Sequence, residues 1–275
     1  MKISNQIIGT GLTCKVQVVQ IQDKNYAIKI YKDNYSLKLI NKEINILKQL
    51  NHTNIIKIID SNIEKKYIIT QLLNDMDLFD IIAKDQKPFL LKSIKYFSQR
   101  LSCVIQYLHN IGVVHRDIKL ENILIDEYLD LKLCDFGFAE KMDQNFVQKC
   151  QGTLGYLAPE LQTIGLINVQ DLPKADVYSL GVCIFILAFA HPPFKADLKS
   201  CPFWNLIQQR QWQSYWALVD KQNKFNQDFY SFMEGMLEQD PQNRFTIEEV
   251  VHHPFLIGEW KEEFKTEIRV RLRQQ

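Results

Sequence analysis

Over the first seventy positions, apolar residues mostly alternate with polar ones, the period of a half-buried strand. Ile7-Ile8 runs into a Gly-x-Gly turn, and residues 16–21 alternate. A turn is predicted at Asp23-Lys24-Asn25, after which 26–31 resumes the extended pattern. The period then changes. Ile40, Ile44 and Leu47 recur at spacings of four and three, so they share one face of a helix whose end is predicted near Asn51. Two short strands follow at 55–60 and 67–72. From there the pattern is mainly helical: 89–110 has apolar positions at helical spacing with Gly112 as a stop, and 176–190 reads as a buried helix. The expected architecture is α+β and bilobal. A small β-rich lobe with one helix spans 1–70, a crossover 71–74, a larger helical lobe 75–259 and a tail 260–275.

Composition narrows the class. In 275 residues, 46% hydrophobic and 24% charged positions are ordinary for a soluble globular protein. They exclude a disordered chain, a collagen-like repeat and a small disulfide scaffold. A net charge of +1 gives no global electrostatic argument for a nucleic-acid or anionic-membrane partner. The six cysteines are scattered without a C-x-x-C pair, so neither a zinc knuckle nor a disulfide framework is expected. The N-terminal MKISNQIIGT lacks a signal-peptide core, and the longest apolar run, 181–190, falls short of the ~20 residues that span a bilayer. A reduced, cytoplasmic monomer is expected.

Four motifs carry candidate chemistry. Gly9-Thr10-Gly11-Leu12-Thr13-Cys14-Lys15-Val16 lies between two predicted strands, where glycines let backbone N–H groups approach phosphate oxygens; a plain hairpin turn reads the same way. In Ala27-Ile28-Lys29 the period of two puts Ala27 and Lys29 on one face, a small residue beside a cation. That suits a flat base next to a phosphate, although a solvated edge lysine has the same pattern. His115-Arg116-Asp117-Ile118-Lys119-Leu120-Glu121-Asn122 and Asp135-Phe136-Gly137 flank two short apolar runs joined by a polar turn. A hairpin there brings Asn122 and Asp135 to one edge, and a carboxylate beside an amide oxygen suits Mg²⁺.

With these motifs in order, the chain resembles the eukaryotic protein kinases from about Ile7 to Phe255. Ala158-Pro159-Glu160, Asp176-Val177-Tyr178-Ser179-Leu180-Gly181, Pro192-Pro193-Phe194 and Arg244 continue the pattern. The resemblance implies a Mg-ATP-dependent kinase. ATP would be bordered by Ile8, Gly9, Thr10, Gly11, Leu12, Thr13, Cys14 and Val16, then Ala27 and Lys29, and by Thr70, Gln71 and Leu73. The larger lobe would add Asp77, Glu121, Asn122, Leu124 and Asp135. Lys29, held by Glu43, would pair the α- and β-phosphates. Asp117 would take the substrate hydroxyl's proton, Lys119 would steady the γ-phosphate, and Asn122 and Asp135 would hold the metal. Lys119 and Thr153 resemble the serine/threonine type, with a lean towards the calcium/calmodulin-dependent group. The implied partners are protein substrates. The alternative is a pseudokinase scaffold that binds nucleotide without transfer. Structural roles carry over as well: Glu160 would pair with Arg244, and Asp176 would cap the catalytic-loop backbone.

Several positions depart from the family pattern. Cys14 stands where a third glycine is usual, and both it and Cys134 are expected to be packed, inert thiols near the nucleotide. Only fourteen residues separate Lys29 from Glu43, so the strand-to-helix connection is short. Between Asp135 and Glu160 the only side-chain hydroxyls are Thr153 and Tyr156, and Lys149 occupies the position where relatives often carry an activating phosphothreonine. Activity independent of activation-loop phosphorylation is therefore expected. Thr70 aligns with the gatekeeper. Asp77 and Glu121 match positions that contact basic residues in substrates, while a third such position is Ile186 here. The amphipathic tail could dock on the lobe or bind calmodulin, but a solvated or frayed helix is the simpler expectation.

Overall fold

Gln22 and Asp23, with φ of 47° and 62°, reverse the chain between two strands in which Ile21 faces Lys24. A two-residue loop with both φ positive twists in the same sense as the strands it joins. The turn thus sits one residue earlier than the polar run 23–25 suggests. In this computed structural model, which describes residues 2–73, 76–195 and 201–273, the hairpin belongs to a five-stranded antiparallel sheet. Its strands are β1 (Lys2–Thr10), β2 (Cys14–Ile21), β3 (Lys24–Tyr31), β4 (Ile58–Asn62) and β5 (Tyr67–Gln71), in the order β1-β2-β3-β5-β4. Helix α1 (Leu37–Gln49) follows β3 and buries Ile40, Ile44 and Leu47, the predicted face, together with Glu43.

The strand expected at 55–60 is displaced, and the reason is a competing partner. Leu133 donates its N–H to Asn54 O, and Ile56 donates to Leu133 O, so residues 54–56 stitch the small lobe onto the large one. Pairing with β5 starts only at Lys57, whose carbonyl oxygen accepts the Gln71 N–H, and the ladder runs on from Ile58. The crossover runs through Gln71, Leu72 and Leu73; Asn74, also assigned to it, lies outside the described residues.

The larger lobe opens with α2 (Leu78–Asp85) and α3 (Leu91–Asn110), which ends at Gly112 with φ 72°. α3 starts two residues later than expected: Leu90 is still extended, with ψ 148°, and the Phe89 N–H before it donates to Leu187 O. Short ribbons follow: β6 (Val113–Val114) with β9 (Glu140–Lys141), β7 (Ile123–Ile125) with β8 (Leu131–Leu133), and β10 (Phe146–Gln148) with β11 (Leu166–Asn168). Helices α4 (Leu172–Phe189), α5 (Pro202–Gln208), α6 (Trp212–Val219), α7 (Gln227–Leu237), α8 (Ile247–Val251) and α9 (Lys261–Arg273) complete the lobe.

α4 begins four residues before Asp176, because Pro173 is tolerated in a first helical turn. By length and composition its span could cross a membrane, yet 83% of its apolar window is buried inside the protein. Gly181 lets α7 approach it: a Cβ there would stand 2.9 Å from that of Met236.

The tail corrects the expectation of a solvated or frayed end. α9 packs on α3, burying Phe264 and Ile268. Arg271 bonds Glu267, Asp85 and the carbonyl oxygens of Lys87 and Pro88, with its guanidinium 4.0 Å from the Phe89 ring centroid. The Glu267 carboxylate in turn accepts the Leu90 N–H at the start of α3. The lobe therefore covers Phe264 and Ile268 of the helix's apolar face, while Val270 stays exposed.

Candidate active site

The β3 ladder aims Ala27 and Lys29 to one side of the sheet, and α1 brings Glu43 to meet them. Lys29 Nζ donates to Glu43 Oε1 and to Asp135 Oδ1, both at 2.8 Å. Tyr31 OH fixes the other Glu43 oxygen at 2.5 Å. Burial opposes the lysine charge, but the two carboxylates outweigh it and hold its pKa well above the usual range. Burial likewise opposes ionisation of Asp135, and Lys29 overrides it, leaving the carboxyl at about 2. Asp135 itself has φ 55°, a strained value for a residue with a side chain.

The segment before β7 is built around a second carboxylate. Asp176, on the buried α4, accepts the backbone N–H groups of His115 and Arg116, each at 2.8 Å, and faces His109 Nε2 at 3.0 Å. Its capping role is thus direct, and it stabilises a loop in which Arg116 sits at φ 68°. Asp117 Oδ1 accepts the Thr153 hydroxyl at 2.8 Å, and Oδ2 lies 3.0 Å from Lys119 Nζ. Lys119 also donates to Thr153 Oγ1 at 2.9 Å. Gly152 makes this closure possible: it has φ 116°, and a Cβ there would stand 2.6 Å from Arg116 O. Asn122 Nδ2 donates to Asp117 O at 2.8 Å and to Asp117 Oδ2 at 3.1 Å.

The β7–β8 hairpin does what its sequence suggests. The Cys134 N–H donates to Asn122 O at 2.8 Å, which sets Asp135 beside Asn122. Both line one cavity of about 400 Å³ between the lobes. Its wall includes Ile8, Gly9, Thr10, Gly11, Cys14 and Val16 from β1, β2 and their turn, and Ala27, Lys29, Thr70, Gln71 and Leu73 from β3, β5 and the crossover. Asp77, Glu121 and Leu124 come from the large lobe. Asp117 and Lys119 stand behind Asn122 rather than in the wall.

Two residues assigned to the nucleotide border lie elsewhere. Leu12, 94% exposed, and Thr13, whose carbonyl accepts the Lys32 N–H, do not line the cavity, because the turn swings them outward. Conversely Leu47, Ile56, Ile68 and Phe136 line it and were not assigned from the sequence. Leu47 lies one helical turn from Glu43 and Ile68 two residues from Thr70, so the periods of helix and strand point to both. Ile56 had no such signal. Burial pushes the Cys14 and Cys134 thiols up, away from the reactive thiolate.

The donor set fits a hard cation. Asp135 is held ionised and gives only Oδ1 to Lys29 and to the Gly137 N–H, leaving Oδ2 outside those bonds. Asn122 turns its nitrogen to Asp117, so the atom it presents is the amide oxygen. Among the described residues no group of three or more His, Cys, Asp or Glu could hold a metal. Two protein oxygens are the pattern expected of Mg²⁺, which keeps most of its shell for water and phosphate.

The family model for the protein kinase domain matches residues 3–256. The chain belongs to the protein kinase family. Among its relatives, a serine/threonine-protein kinase of Drosophila simulans is 33% identical over 88% of this kinase chain and 35% of its own length. A probable myosin light chain kinase of Dictyostelium discoideum is 32% identical over 85% of this chain and 75% of its own. A second protein of that organism, a probable serine/threonine-protein kinase, is 32% identical over 91% and 43%. The kinase chain thus spans about a third of the length of the Drosophila relatives it matches.

Proposed function

We propose that the chain is an active serine/threonine kinase that transfers the γ-phosphate of ATP to a hydroxyl of a protein substrate. The observation that carries this reading is the convergence of Lys29, Asn122 and Asp135 on one cavity, with Asp117 bonded to Asn122.

In this reading Lys29, kept charged by Glu43, binds and orients the nucleotide phosphates. Asp117 accepts the proton of the incoming hydroxyl, and Thr153 and Lys119 hold its carboxylate in a single orientation. Mg²⁺, when bound through Asn122 and Asp135, supplies neutralisation of phosphate charge. Lys119, beside Asp117, adds a second cation where negative charge develops on the phosphoryl oxygens. Ala27, Val16 and Leu124 supply apolar surface for a flat base. Asp77 and Glu121, at the same cavity, favour a substrate carrying basic residues; the third acidic position is lost to the buried Ile186.

The test is the chemical identity of the product. With labelled ATP and a mixed protein substrate, label is expected on serine and threonine and to vanish when magnesium is chelated. Label on tyrosine alone, or nucleotide binding without transfer as in a scaffold, would overturn the proposal.

A further inference from the structure

Arg116 is a buried cation on a strained loop, and the surroundings of its guanidinium are unusual. Nη1 donates to Gln151 Oε1 at 3.1 Å, and Nη2 donates to Gln148 O. Both acceptors belong to the segment that leads to Thr153, so the arginine ties that segment to the residue next to Asp117. Neutral acceptors do not balance a buried charge. The anion nearest to it in this direction is Glu140 on β9, 3.9 Å from Nη1 and itself 7% exposed.

Glu140 is anchored on two further sides. Lys42 Nζ donates to its Oε2 at 2.9 Å, and Gln144 donates to its Oε1. Its backbone faces Val114 in the β6–β9 ribbon, two residues before Arg116. Lys42 precedes Glu43 on α1, so a single carboxylate connects three parts: the helix that holds Lys29, the loop that holds Asp117, and the segment that holds Thr153. No serine, threonine or tyrosine lies between Phe138 and Gly152, so that stretch cannot acquire a phosphate by hydroxyl phosphorylation.

We propose that Glu140 is a positioning residue that supplies, from within the chain, the fixed anion organising α1, Arg116 and residues 146–151 into the transfer-competent arrangement. The inference rests on the kinase reading and adds its regulation: the active arrangement is built in. Removing the charge leaves Lys42 and Arg116 without it while keeping the shape of the site. α1 then loses its tether to β9, and residues 146–151 are held only through an Arg116 that has lost its carboxylate partner.

The experiment compares the full chain with Glu140→Gln, Glu140→Asp and Lys42→Gln by amide hydrogen exchange and steady-state kinetics. Glu140→Gln is expected to speed exchange in both α1 and 146–151 by at least about ten-fold, leaving α4 unchanged. It should lower kcat on the order of 10- to 100-fold, the scale of a misplaced catalytic group, with peptide KM little changed. Lys42→Gln should loosen α1 but not 146–151, and Glu140→Asp should recover part of the rate. Unchanged exchange in both segments, or uniform loosening that includes α4, would overturn the proposal. Should Glu140→Gln not fold, exchange in Lys42→Gln decides: α1 at wild-type protection overturns it. Exchange does not require turnover, so a wild type that transfers no phosphate would refute the kinase reading while the exchange pattern still decided the role of Glu140.

Discussion

Arg244 meets Glu160 with both terminal nitrogens, Nη1 to Oε1 at 2.7 Å and Nη2 to Oε2 at 2.9 Å. The guanidinium is fully buried, and its remaining donors reach the carbonyl oxygens of Glu238, Lys174 and Gln239. The pair joins the Ala158-Pro159-Glu160 turn to the loop before α8.

Truncating the arginine leaves a largely buried carboxylate unpaired, and a loss of about 3–5 kcal/mol follows. Arg244→Ala should therefore shift the denaturation midpoint strongly, while any remaining folded protein keeps its affinity for nucleotide. A normal midpoint in urea would show that the pair is not structural.

The tail makes a similar prediction for a different surface. Arg271→Ala removes the partner of Glu267 and the contacts to Asp85, Lys87 and Pro88. A destabilisation of about 3 kcal/mol is expected from the buried pair, read from chemical denaturation. A wild-type midpoint would mean that α9 is not part of the cooperative unit.

Asp77 links the site to pH. Burial raises its carboxyl to about 6, with Asp80 and Glu121 adding repulsion, against hydrogen bonds from the α2 backbone. A folded pKa above the unfolded value means that the folded state takes up a proton as pH falls from about 6 to 4. The charged form therefore weighs against stability above pH 6, and that penalty disappears below the unfolded pKa. For catalysis the direction is opposite: an arginine-bearing peptide loses an anionic partner, so its KM should rise as pH falls through 6. Asp77→Asn should raise KM at pH 7 and flatten the profile; an unchanged profile would remove Asp77 from substrate recognition.

Thr70 lines the cavity together with Ile68, Leu47, Ile56 and Phe136. Its small side chain leaves room for an inhibitor with a bulky group directed behind the base. Thr70→Met should weaken such a compound by at least about ten-fold and leave ATP turnover within a few-fold. Equal inhibition of the two proteins would place the inhibitor's bulky group elsewhere.

Much of this was readable from the chain because the informative residues are consecutive. The His115–Asn122 stretch and Asp135-Phe136-Gly137 specify their own geometry through one short hairpin. Lys29 and Ala27 follow from a period of two. What escaped depended on partners distant in sequence. Residues 55 and 56 read as the start of a strand, yet Leu133, 77 positions beyond Ile56, claims the hydrogen bonds of this stretch. The tail looked solvated because its basic residues dominate its pattern, although Arg271 finds Asp85 some 186 positions away. Leu12 is conspicuous in the glycine-rich motif, but only the turn geometry decides that it points outward.

Asp117 and Lys29 serve one transfer reaction in different ways. Phosphate transfer from labelled ATP should be measured for wild type, Asp117→Asn and Lys29→Met, with nucleotide binding measured in parallel. The predicted result is active wild type, and transfer by Asp117→Asn reduced on the order of 10²–10⁴-fold with binding retained. Lys29→Met should lose transfer as well, with weakened nucleotide binding. Transfer that survives both substitutions, or wild type that binds ATP and never transfers it, would contradict the account.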